Sequence, residues 1–80
     1  MDTQEVIAIR IRELCHQKGF TPNGIAIHSA VPQGTLKSIL KGESKNPGIT
    51  TIKKLCDGFG ITLGQFFNTH EFDNLEQEIK

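Results

Sequence analysis

The chain has no long apolar stretch; its longest unbroken apolar run is four residues, Val6 to Ile9. A bilayer-spanning helix needs about 20 such residues and a secretory core about 7–15, so neither is expected here. A soluble, cytoplasmic protein with no membrane partner is the expectation. Cysteine is scarce as well. Cys15 and Cys56 are too few for a disulfide scaffold and show no C-x-x-C spacing, which argues against a zinc site. Strand signals are nearly absent: no run alternates β-branched residues, and no Asn-Gly pair joins two such runs. Charge of either sign is not in excess, since 9 basic side chains face 9 acidic ones.

What is present fits one folded domain. Eighty residues suit a single core, and Leu, Ile, Val and Phe supply 23 of them, well above the disordered range. The neutral total hides a polar distribution. Residues 1–70 carry net +3, and residues 71–80, an acidic tail, carry net −3. Between 37 and 54, Lys37, Lys41, Lys45, Lys53 and Lys54 meet Glu43 alone. Such a segment suits an anionic partner, although a merely solvated surface has the same composition.

Helical periodicity recurs along the chain. Ile7, Ile11, Leu14 and Cys15 form one stripe on a helix from Thr3 to Lys18, with Gly19 as its stop and Ile9 turned away from the core. Thr21-Pro22 opens a second, short helix ending near Ser29, Thr as N-cap and Pro in its first turn, with Ile25, Ala26 and Ser29 inward. A third runs from Pro32 or Gln33 to about Lys41. Its inner residues are Leu36, Ile39 and Leu40. At 100° per residue, Gln33, Gly34, Lys37, Ser38 and Lys41 share an opposite arc of about 140° that holds no acid and no large apolar side chain. After a loop at 42–48, a fourth helix spans Ile49 to Phe59 with Ile49, Ile52, Leu55, Cys56 and Phe59 inward. Thr62 and Gln65 form a capping box for a fifth, ending at Phe66-Phe67. Phe72, Leu75 and Ile79 share a spacing that allows another turn or two.

A short helix, a break at Ser29–Pro32 and a second helix with a polar outer face follow the plan of a helix-turn-helix. Together with their spacing, several patterns resemble the Cro/repressor (xenobiotic-response-element) type of helix-turn-helix domain over about residues 6–67. They are Ile7-x-x-Arg10-Ile11-x-x-Leu14, Ala26, Val31-x-Gln33-x-Thr35-Leu36-x-x-Ile39, Gly42, Asn46-Pro47, Ile49-x-Thr51-Ile52-x-x-Leu55 and Ile61-Thr62-Leu63-x-x-Phe66-Phe67. The resemblance implies an all-α, compact, five-helix lambda-repressor-like bundle with a DNA-binding domain at 1–70.

Carried over residue by residue, it implies that the helix at about 33–41 enters the major groove of double-stranded DNA. Gln33 becomes the leading base reader, able to pair adenine N6 and N7. Lys37 and Ser38 face the same groove, and Gly34 permits close approach. Lys41, Lys45 and Asn46 match a backbone-contacting loop, and Thr21 and Asn23 lie within reach of a phosphate. The competing roles are local: Gln33 as a helix cap, Lys37 and Lys41 as solvated charge. Several positions depart from the family pattern. Pro22 replaces a frequent phosphate-touching Gln, Ala30 a turn Gly, and Pro32 a polar N-cap. Cys15 and Leu40 stand where an Arg–Glu pair is common, an apolar swap that need not destabilise.

No catalytic constellation emerges. His16, His28 and His70 are scattered, and no phosphate-cradling glycine loop follows a strand, so neither an enzyme nor a cofactor is expected. The cysteines read as core thiols, with redox sensing as the alternative. The C-terminal end, through Phe67, Phe72, Leu75 and Ile79, suits a homodimer contact as well as it suits closing the chain's own core. The leading expectation is a sequence-specific transcription regulator without an effector domain. The other is a protein-interaction module, antitoxin-like or adaptor, using Ile9 and the tail.

Overall fold

A computed structural model describes residues 1–44 and 46–79. Among the described residues, six helices and no strand are found: α1 (Thr3–Lys18), α2 (Pro22–His28), α3 (Gln33–Leu40), α4 (Ile49–Phe59), α5 (Leu63–Phe67) and α6 (His70–Asp73). The expected five are present, and the tail adds one short turn as the sixth.

Local chemistry explains the boundaries. Asp2 accepts from the Glu5 N–H while the Glu5 carboxylate accepts from the Asp2 N–H, a reciprocal box that starts α1. Thr21 accepts from the Gly24 N–H to start α2, and Pro22 needs no partner at its first turn. The Thr62–Gln65 box opens α5 as its spacing suggests. Gly19 and Gly60 end α1 and α4 with φ of 78° and 77°, in the left-handed region that a Cβ disfavours. Ala30, between α2 and α3, has φ 56° without being glycine. That costs on the order of 1 kcal/mol, at the position where Ala stands in place of a turn Gly.

One apolar cluster joins the elements. Ile7, Ile11, Leu14 and Cys15 of α1 meet Ile25 and Ala26 of α2, Leu36 and Ile39 of α3, and Ile52, Leu55, Cys56 and Phe59 of α4, with Phe66 of α5 fully buried. Cys15 lies inside this cluster and Leu40 packs against it, so apolar contact fills the place of an ion pair. Ile49 departs from its expected inward position. It is 59% exposed at the first position of α4, whereas Ile52, three residues on, is buried in the core. Ile27 of α2 is also exposed, and Ile9 is partly so, as its position off the α1 stripe suggested.

Two contacts outside the apolar cluster tie further elements together, one at the end of α2 and one between α1 and α5. Ser29 is buried against Gly58 of α4, where a Cβ on Gly58 would lie 1.9 Å from Ser29 Oγ. Only a residue without a side chain lets α4 come this close. On the other side, Arg10 of α1 donates from Nε to Phe66 O at 2.8 Å and from Nη2 to Gln65 O at 2.9 Å, holding the α5 end. Its guanidinium also lies 6.0 Å from the Phe66 ring centre and pairs with Glu13.

The C-terminal segment folds back on α1. Phe67 and Phe72 stack edgewise at 4.9 Å, each also contacts the Phe66 ring, and both pack against the core. Leu75 is half-buried, and Thr3 Oγ1 donates to Glu78 Oε2 at 2.7 Å. Of the four residues proposed for a homodimer contact, Ile79 alone is largely exposed, at 86%. The turn of α6 crosses the boundary drawn between 70 and 71 from charge.

Candidate nucleic-acid interface

The α3 helix owes its orientation to Leu36 and Ile39, which are 1% and 2% exposed. With these two fixed inward, the helical period turns the opposite side out. Gln33, Gly34, Lys37 and Lys41 are exposed, and Ser38 at the edge of the arc is half-buried. One face of α3 therefore carries all five.

These side chains are not used by the fold. Among the described residues, Gln33, Lys37, Ser38 and Lys41 make no side-chain hydrogen bond or ion pair. The α3 N-cap is Pro32, and no side chain caps that end, so Gln33 does not take the capping role. Around Gly34 a Cβ would meet nothing within 4 Å, so its lack of a side chain serves no internal packing. The C-terminal end of α3 is wrapped by the following loop, with the Glu43 and Ser44 N–H groups both donating to Ser38 O.

The start of α2 lies beside this face. Asn23 and Pro22 line one shallow groove together with Gln33, Leu36, Lys37, Leu40 and Lys41 of the α3 region and Arg12 of α1. No acidic residue lines it. Thr21 is exposed, but its hydroxyl is occupied as the α2 cap. Asn46 is exposed in the loop after α3, and Lys45 lies outside the described residues. The basic segment itself is divided: Lys53 pairs with Asp57 one turn along α4, and neither lines the α3 groove.

Arg12 is the residue that sequence reasoning missed. Its Nη2 donates to Leu40 O at 3.3 Å, bridging α1 to the end of α3 across 28 positions. No local spacing announces such a contact. Neither thiol belongs to the interface. Burial pushes both Cys15 and Cys56 above the ordinary value of 9.0, against a smaller opposing pull from Arg12 on Cys15 and from Lys53 on Cys56. Both are free, buried and protonated near neutrality, which disfavours redox sensing. Among the described residues, no helix is long and apolar enough to cross a membrane.

Comparison with known proteins bears on the same stretch. The family model for the Cro/C1-type HTH DNA-binding domain matches residues 10–71. No curated protein matches. Among solved structures, the crystal structure of the prophage Lp1 protein 11 is similar, at 33% identity and a TM-score of 0.83, over 94% of this chain and 100% of that one. A helix pair with a free polar face, set in this six-helix frame and matched by the family model over most of its length, makes the chain a member of the Cro/C1-type helix-turn-helix DNA-binding domain family.

Proposed function

We propose that the chain is a sequence-specific transcription regulator that reads double-stranded DNA by laying α3 in the major groove. The observation that carries this is the outward face of α3, whose polar side chains have no hydrogen-bond or ion-pair partner among the described residues and whose adjoining groove is lined by no acidic residue. An α-helix with its side chains is about 10–12 Å across, matching a major groove about 12 Å wide.

In this reading Gln33, at the N-terminal end of α3, pairs an adenine edge through its amide oxygen and nitrogen. Lys37 donates to a guanine edge or a neighbouring phosphate, and Ser38 offers a hydroxyl one residue on. Gly34 lets the helix backbone approach the bases. Asn23, Lys41 and Asn46 hold the sugar–phosphate strands and set register, as do Thr21 through its backbone end of α2 and Lys45 by its place in the sequence.

Selection from a random duplex library tests the proposal. Wild-type protein should enrich a defined motif. Gln33→Ala should relax one base position at a cost of about 1–3 kcal/mol. Enrichment of no motif, with a protein copurifying instead, would turn the assignment to an interaction module on the same fold.

A further inference from the structure

We propose that Arg12 of α1 is an additional DNA-backbone contact, a phosphate-binding residue outside the helix-turn-helix; this rests on the DNA-binding reading above. The guanidinium is exposed and lies in the groove that also holds Asn23, Gln33, Lys37 and Lys41. Among the described residues its one bond is the 3.3 Å contact to Leu40 O, which leaves most of its five N–H donors unspent there. Among the described residues no carboxylate pairs with it; Glu13, its neighbour in sequence, pairs with Arg10 instead.

The position matters because of what else lines the groove. Pro22 at the start of α2 has neither a backbone N–H nor a polar side chain to offer a phosphate. Among the groove's lining residues outside the α3 region, the side-chain donors are Asn23 and Arg12. The bond to Leu40 O restrains a long side chain at the end of α3, so the fork is held near the face that approaches DNA. Arg12, Lys37 and Lys41 then form a cationic rim with no acid inside it. A duplex phosphate is the occupant this chemistry fits: a planar fork matches two phosphate oxygens, and the bases beside it are already engaged by α3.

The salt dependence of duplex binding separates this role from a purely structural one. On the duplex that wild-type protein selects, Arg12→Gln should flatten the plot of log affinity against log salt by about 0.9. Between 50 and 200 mM salt, wild-type protein would then lose about 3.5-fold more affinity than the variant. The weakening should be equal for all duplex sequences. Arg12→Lys, which keeps the charge, should retain the wild-type slope. A wild-type slope in Arg12→Gln, or a loss confined to one base position, would overturn the inference while leaving DNA binding intact. A wild-type protein with no duplex affinity would remove the DNA-binding reading, and this one with it.

Discussion

Two grooves on this small molecule have opposite character. One, between the start of α1 and the C-terminal segment, is lined by Asp2, Glu5, Glu76 and Glu78 with Met1, Thr3 and Asn74 to Gln77. The other, where α1, α2 and α3 meet, holds Arg12, Lys37 and Lys41 and no acid. The zero net charge is thus the sum of two separated regions. The acidic end is closed by the protein's own bonds: the Asp2–Glu5 box, the Thr3–Glu78 bond and the stacked Phe67 and Phe72 rings. The basic groove is not closed in this way, and among the described residues the polar α3 side chains there make no hydrogen bond or ion pair. A neutral total is therefore no argument against an anionic partner, because screening in salt limits the reach of the acidic end to about 10 Å.

The same contrast appears in how each half is held. The α1–α5 side uses two short directional bonds through Arg10, whereas α2–α3 rests on apolar packing, the close approach of Ser29 to Gly58 and one longer bond, from Arg12 to Leu40 O. The largest effect should come from breaking that approach. Gly58→Ala would place a methyl among Ser29 Oγ, Ser29 Cβ at 3.0 Å and Ile25 Cδ1 at 3.2 Å, and should lower stability in urea melts by about 3 kcal/mol. Adding Ser29→Ala should recover part of the loss, since it removes the nearest atom and an unpartnered buried hydroxyl. Next, Arg10→Ala strips the α5 carbonyls of both donors and should cost about 2 kcal/mol, loosening α5 in hydrogen exchange while leaving α3 protected.

A smaller effect of opposite sign is expected at the turn. Ala30→Gly relieves φ 56° but frees the unfolded chain, so the net gain should be about 0.5 kcal/mol, seen as a slightly higher Tm. The smallest effect is alkaline. Both thiols have folded values raised by burial, so their contribution is fully present below the ordinary 9.0 and is lost as pH rises past it toward the folded values. Stability should therefore be insensitive to the thiols near neutrality and decline in melts above pH 9, and a flat profile there would contradict their burial.

Much of the frame is written in short-range chemistry. The Thr21-Pro22 start, the Thr62–Gln65 box and the Gly19 and Gly60 stops each act within about four residues, so their spacing alone declares them. The outward grouping of Gln33, Gly34, Lys37, Ser38 and Lys41 is likewise a property of the helical period once Leu36 and Ile39 are assigned inward. Ile49 escaped that logic, since periodicity gives a face but not where the covering elements end.

The amino-acid sequence alone determined where the helices begin and stop and which side of α3 is polar, because hydrogen bonds and turns over a few residues decide both. Tertiary structure decided the rest. Arg12 reaches Leu40 across 28 positions, Arg10 reaches Phe66 across 56, and Thr3 meets Glu78 across 75. Such pairings depend on how whole helices stack around Phe66 and Leu55, and no local pattern encodes the distance between side chains brought together by a shared core.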